Sequence, residues 1–572
     1  MMRIARVALV GAVVVAQSLH AQTPTRALKP VTTEMLVNPP ADDWLMYSRT
    51  YDAQRHSPLK QITRANVGTL REVFKKEFGA GNQESIPLVH GGVMYVMLPG
   101  NTVQALDAAT GAVIWEHKRA SGATRAKALA IAEDMVFYTA PDTPDNTIVA
   151  LDARTGAVRW ETKSSGNLTS GAIVVEGKVL TGRTCREQKD CYISAHDIKT
   201  GKEAWRFYTA AGDDDPGGAT WAGSPVAGRL ATTWGLAGGY DAKRRLIMWG
   251  VANPMPNTRM DRHGGKYDAV PLQSPVDLYS NSTVALNPET GKLVWYYQHL
   301  PGDDWDEDYT NERTLVRTAV RPDPKAVKWI NPDVKPGEVR DVALVVGEGG
   351  GIWALDRDKG QFLWATPFPF DTPNFLISNI EGNGRVHINE SLLLKQPGDH
   401  HVICYWNTRS YWPPSYHPRL NAFYVPYVEN CLDMTAADPS KNIRERRVGA
   451  PRDPNALDNW AGLMKIDVAT GVMKPIYTGR APSQGAVLST DGDVVFWGDL
   501  NQTFRAFDAE SGKILWETKL AGPVQNSTIT YAVDGKQYVA VLTGQGLTSS
   551  TPIGQAGLKV TRTNALHVFA LP

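Results

Sequence analysis

The sequence predicts an all-β protein, an eight-bladed β-propeller assembled from tryptophan-docking repeats. Three observations carry that prediction. The pattern Ala-x-Asp-x-x-Thr-Gly-x-x-x-Trp occurs at Ala105–Trp115 (ALDAATGAVIW), Ala150–Trp160 and Ala195–Trp205, so that Asp107, Asp152 and Asp197 fall 45 residues apart. With one change it recurs at Ala285–Trp295, Ala354–Trp364 and Ala506–Trp516, and a worn copy stands at Lys465–Pro475. An even period of this length marks a row of equivalent supersecondary units rather than separate small domains. Alternating apolar segments such as Gly92–Met97 and Lys178–Leu180 lie between the copies, which gives about four strands per period, the content of one propeller blade. Finally, 17 Trp and 51 Gly in 572 residues suit many short strands joined by tight turns.

Taken in order, the chain opens on Met1–Ala21, which reads as a cleaved secretory signal. Arg3 and Arg6 form a basic start, Val7–Ala16 is apolar, and Ala21 offers a small residue for cleavage. The apolar run is short for a bilayer span, and no later segment is long enough for one. Residues 22–572 are expected to form a single exported propeller domain. In each repeat an apolar strand ends at the Asp, Thr-Gly makes the turn, and the next strand carries the Trp. The interval from Asp197 to Asn287 is two periods long. It predicts one blade that has lost its signature, with Tyr240–Gly250 as its surviving strands. Ala565–Leu571 is expected to pair with N-terminal strands and close the ring, which removes exposed sheet edges. Long loops are expected around 300–340 and 366–460, over one face, the usual place for a site.

The net charge of +1 leaves no electrostatic footprint for nucleic acid. Four cysteines in an exported chain predict two disulfides. Local pairing, Cys185–Cys191 and Cys404–Cys431, is the expectation, and the two crossed pairings stay open. None of the four belongs to a CxxCH haem site. Pro301–Glu312 (PGDDWDEDYTNE) crowds Asp303, Asp304, Asp306, Glu307 and Asp308 around Trp305. Such a stretch is either a solvated acidic loop or a hard-cation site with a catalytic carboxylate beside it.

The repeats, together with Asp43-Trp44, Tyr47–Asp52 and His56–Leu59, resemble the quinoprotein alcohol dehydrogenases from about Asp42 to the C-terminus. The resemblance implies pyrroloquinoline quinone (PQQ) at the propeller centre, with one Ca²⁺ or lanthanide ion. Trp305-Asp306 matches the family's catalytic pair and makes Asp306 the base. Trp249–Pro256 matches its metal segment, with Asn253 as amide ligand. Leu180–Glu187 can be laid on the segment that supplies a glutamate ligand. That puts Glu187 on the metal and Thr184 near the cofactor. Separate matches at Leu168-Thr169, Gln83-Glu84 and Thr233–Gly235 set Thr169, Glu84 and Trp234 against the cofactor, with Trp234 stacking under the ring. Arg357 is expected to touch the quinone and stabilise negative charge there. Asp308, two residues after the base, is the family's mark of a lanthanide in place of calcium. The adjacent cysteines of the best-known members are missing, since the matching region reads Arg125–Ala130, which leaves Lys127 to cover the ring. The implied reaction is oxidation of a primary or secondary alcohol, or a polyol, in the periplasm, with electrons passing to a separate cytochrome c. The rival is a non-catalytic envelope propeller acting as a protein-binding scaffold. It accounts for the repeats but not for Asp306, Asn253 and Glu187 in family-like contexts. The aromatic residues Phe368, Phe370, Tyr411, Trp412 and Tyr416 suggest an apolar substrate pocket, or else loops packed on the propeller face.

Overall fold

The repeat dictates its own turn. In the computed structural model, which describes residues 28–119, 126–142, 146–368, 375–404, 406, 408–525 and 527–572, Asp107 ends a strand. Its carboxylate accepts the N–H groups of Ala109 and Thr110 and the Thr110 hydroxyl, at 2.9–3.1 Å. Gly111 follows in the left-handed region at φ 73°, where glycine carries no steric cost. The same arrangement returns at Asp152, Asp197, Asn287, Asp467 and Asp508. The glycine has a second duty. A Cβ on Gly156 would lie 2.5 Å from the Trp115 ring, and one on Gly201 equally close to Trp160. Each of these tryptophans therefore lies flat on the next copy's turn. Its indole N–H donates to that turn's carbonyl: Trp115 to Ala153, Trp160 to Ile198 and Trp205 to Pro288, at 2.8–3.0 Å.

The described residues form eight sheets of four or five strands, antiparallel except for one edge strand. Each packs apolar side chains against its neighbours, as a propeller does. The ring closes where Ala565–Ala570 pairs with Arg71–Glu77 on one side and Lys536–Thr543 on the other. A second clasp is the parallel pairing of His56–Ser57 with Ser489–Thr490. The fully buried Arg55 reinforces it by donating to the carbonyls of Tyr47, Val487 and Thr528.

Two expectations need correction. No blade is missing its signature between Asp197 and Asn287. Tyr240–Gly250 lies in the same sheet as the Asn287 copy, because Leu246–Gly250 pairs directly with Ser282–Leu286. The extra period is mostly loop, at 209–238 and 251–281, with only short helical turns and a two-stranded pairing of Leu230–Ala231 with Pro254–Met255, and those loops carry Trp234 and Asn253. The stretch 318–340 keeps its loop at 321–337 apart from the short edge strand Trp329–Ile330, and its ends belong to the paired strands Thr314–Val320 and Glu338–Val346. The 366–460 excursion is interrupted by Ser415–His417 and Ala422–Val428, two strands of a main sheet. Its remainder forms a two-stranded ribbon and a three-stranded sheet of His400–Ile403, Asn430–Thr435 and Arg446–Pro451. Both local disulfides are formed. Among the described residues no helix is long and apolar enough to cross a membrane. The expected signal, Met1–Ala21, lies outside the described residues.

Candidate active site

The acidic stretch is held from below. Trp305 is fully buried among Trp353, Leu393, Leu432 and Met434, and its indole donates to the Leu392 carbonyl at 2.9 Å. The fully buried Arg259 donates to the Gly302 and Pro301 carbonyls, while its backbone N–H meets Asp304 at 2.6 Å. Asp303 accepts the N–H groups of Trp305 and Glu307 and the Asn281 amide at 2.6–3.0 Å. Burial nevertheless pushes its carboxyl up to about 6. Four of the five acids are thus buried, and the solvated-loop reading fails for them. Among residues 301–312 only Asp306 escapes full burial. It also sits at φ 66°, a conformation that costs a non-glycine residue on the order of 1 kcal/mol and that clusters at functional sites.

Asn253 ties the two acids at the mouth together. Its side-chain amide donates to Asp306 Oδ1 and its backbone N–H to Asp308 Oδ1, both at 2.9 Å. The Trp234 indole donates to the other Asp308 oxygen. Gly235 allows that approach, because a Cβ there would lie 2.3 Å from the Thr310 hydroxyl. Glu348 stands behind: its Oε2 accepts the Asp308 N–H at 3.2 Å, and its own N–H donates to the Asp308 carbonyl at 3.1 Å. The carboxylates burden one another. Burial first, then the Asp306 charge, lifts Asp308 to about 8. Burial and the Asp308 charge raise Glu348 well above the usual range. Asp306 is raised by burial, against the Arg447 charge and the Asn253 amide.

A second group lines the adjoining wall. Glu84 accepts the Leu547 N–H at 2.8 Å and the Tyr411 hydroxyl at 3.2 Å, and pairs with Lys127 at 3.4 Å. The Lys127 ammonium, 1% exposed, lies 5.0 Å from the Trp234 ring centroid and 4.6 Å from that of Tyr411, a cation–π geometry. Thr169 and Thr184 meet through their hydroxyls at 3.1 Å, and Arg183 joins their segment to Thr233 at 2.8 Å.

The protein family described as the PQQ-containing glucose/ethanol/alcohol dehydrogenase β-propeller domain matches residues 44–142, 162–367 and 458–539. The chain belongs to this family, the PQQ-dependent alcohol dehydrogenases. It is 30% identical to quinohemoprotein alcohol dehydrogenase ADH-IIG of Pseudomonas putida, over 90% of this chain and 74% of that one. It is 27% identical to 1-butanol dehydrogenase (quinone) of Thauera butanivorans, over 98% and 97%. A europium-containing methanol dehydrogenase superposes with a TM-score of 0.78 at 26% identity, covering 94% of this chain and all of that one.

In this alcohol dehydrogenase the structure gathers Asp306, Asp308, Asn253 and Trp234, and in the adjoining wall Glu84, Thr169 and Thr184. It does not bring in the other two. The Glu187 carboxylate is 56% exposed and pairs with Lys189 at 2.8 Å. Arg357 pairs with Asp241 and Asp341 at 3.2 and 3.3 Å. It stands inside the repeat's own turn, between Asp356 and Gly360, so its partners are blade neighbours. The loop aromatics divide between the two readings. Phe368, Trp412 and Tyr416 are buried in cores between sheets and Tyr411 reaches the site, while Phe370 lies outside the described residues.

The donor set suits the family's cofactors in part. Asp306, Asp308 and the Asn253 amide are the oxygen ligands a hard cation takes. A cation would also offset the charge that lifts Asp308 and Glu348. Among the described residues, however, no three of His, Cys, Asp and Glu are placed to share one ion. Trp234 offers an aromatic face, and Lys127 and the two threonines suit the carboxylates of PQQ. Glu348 was not legible beforehand, because a glutamate among glycines in VGEGGG carries no ligand spacing.

Proposed function

We propose that this enzyme oxidises a primary or secondary alcohol, or a polyol, to the carbonyl compound, with Asp306 as general base. The observation that carries the proposal is the placement of Asp306. It alone on the acidic loop reaches the solvent side, in a strained backbone, fixed by the Asn253 amide. When bound, PQQ supplies the hydride acceptor. Asp306 then needs only to take the hydroxyl proton, with the Asn253 amide holding its carboxylate in line. Asp308, Asn253 and Asp306 would hold a Ca²⁺ or lanthanide ion. The second carboxylate favours the trivalent ion, which gains more from each added negative charge. Glu84, Lys127, Thr169, Thr184 and Trp234 would seat the cofactor. The eight sheets serve as the eight blades of a single exported domain, residues 22–572, that works in the periplasm. Electrons then leave to a separate cytochrome c.

The test is reconstitution with PQQ and either Ca²⁺ or La³⁺, followed by a dye-linked screen of alcohols, aldehydes and polyols. Alcohol oxidation dependent on PQQ and higher with La³⁺ is expected. Asp306→Asn should retain the bound-PQQ absorption spectrum and lose turnover, since an amide cannot accept the proton. Wild-type turnover in that variant would remove Asp306 from the reaction. Full activity with Ca²⁺, no gain with La³⁺ and indifference to Asp308→Ala would sink the lanthanide assignment.

A further inference from the structure

The three-stranded sheet in the 366–460 excursion delivers one basic side chain to the acidic loop. Asn430–Thr435 and Arg446–Pro451 pair antiparallel with Leu432 opposite Gly449 and Met434 opposite Arg447, so those four share one face. Leu432 and Met434 bury that face in the cluster that holds Trp305. The other face is wet, and there Arg446 pairs with Asp433. Arg447 therefore enters the protein at the acidic loop, two residues before Asp306. Its Nη2 donates to the Asp304 carbonyl and its Nε to Glu445 at 3.0 Å. Its Nη1 is buried and has no partner among the described residues. A buried guanidinium N–H without an acceptor costs about 1–3 kcal/mol, and a ligand oxygen would remove that cost.

We propose that Arg447 is a catalytic residue whose Nη1 binds the hydroxyl oxygen of the alcohol beside Asp306 and stabilises the negative charge that builds there. The inference rests on the alcohol-oxidising role of Asp306. As the O–H bond breaks, its proton goes to Asp306. As the C–H bond breaks, hydrogen leaves with its electron pair to the bound quinone, and the carbonyl forms. Between those events the oxygen carries charge, and a guanidinium fixed in a poorly hydrated site stabilises it without reorganising. The arrangement gives the excursion a task beyond covering the face: it completes the site.

The experiment uses full-length protein loaded with PQQ and metal, as wild type, Arg447→Ala and Arg447→Lys. Four quantities are read: kcat, KM, PQQ affinity by absorbance titration, and Tm. The expected result for Arg447→Ala is a loss in kcat of about 10²–10³, the size typical of removing one such donor. KM, PQQ affinity and Tm should stay within about threefold or a few degrees of wild type. Arg447→Lys should recover part of the loss, and added methylguanidinium should rescue Arg447→Ala. Turnover of Arg447→Ala within threefold of wild type overturns the proposal. So does a loss of turnover that follows PQQ affinity or Tm downward and resists rescue, because that marks a purely structural dock for the sheet. A wild type that binds PQQ but oxidises no alcohol overturns the underlying reading, and the role of Arg447 with it.

Discussion

Arg357 and Asp306 show how residue type and neighbourhood part company. Both stand in stretches that resemble functional segments, and only one of them reaches the site. Arg357 is part of a partly buried ion network with Asp241, Asp341 and Arg244. Arg244 hydrogen-bonds to the Asp341 carboxylate and, with Arg317 and the charge of Arg357, holds it far below its ordinary range against the cost of burial. Removing one arginine leaves the other in place, so Arg357→Ala is expected to cost roughly 1 kcal/mol of stability. It should leave kcat within about twofold of wild type. A denaturant titration alongside steady-state turnover checks both, and a large loss of kcat would return Arg357 to the reaction. The residues that were legible share a trait: Asp306, Asn253 and Trp234 each occupy a short unusual string that tolerates few other meanings. Glu348 and Arg447 escaped because their strings are ordinary, and only the folding of distant segments gives them neighbours.

At the scale of elements, the clasp between His56–Ser57 and Ser489–Thr490 sets an acid limit. His56 contacts Ser489 and Asp491 at 2.9 and 3.0 Å, and its ring lies 4.8 Å from that of His417. Burial, and for His56 the neighbouring His417, lowers both imidazoles from 6.5 to about 4. The folded protein therefore holds them neutral at a pH where the unfolded chain binds protons. Stability from this source is complete above pH 6.5 and declines as pH falls from 6.5 toward 4. Tm should fall across that window, and His56→Gln with His417→Gln should flatten the decline. An equal slope in the double variant would assign the loss to other groups. The repeat's strands and turns were readable because Asp, Thr and Gly each have one local task there. The blade count between Asp197 and Asn287 was not, because length alone does not distinguish a fourth sheet from two long loops. The loops won because Trp234 and Asn253 must reach inward to Asp308.

At the scale of the molecule, the excursion is anchored covalently. Cys404 follows one edge strand of its sheet and Cys431 lies in the central strand, so the bond fixes the platform that carries Arg447. Disulfides of this span typically contribute about 2–4 kcal/mol. Here that stability falls on the sheet more than on the ring. Cys404→Ser with Cys431→Ser is expected to lower turnover at temperatures well below the main unfolding transition. Coincident loss of activity and of far-UV signal would show that the platform needs no such tie. The ring itself is closed by Arg71–Glu77 and Ala565–Ala570, partners nearly the whole chain apart. Pairing of that range is slow, because loop closure must precede any reward. During synthesis Arg71–Glu77 is made early and must wait for the C-terminal strand to emerge. Five of its seven residues are charged, and five of its positions are exposed, the character that keeps an open strand edge from recruiting other chains. The seam of the propeller is thus built to stay solitary in the nascent chain until its own last strand arrives.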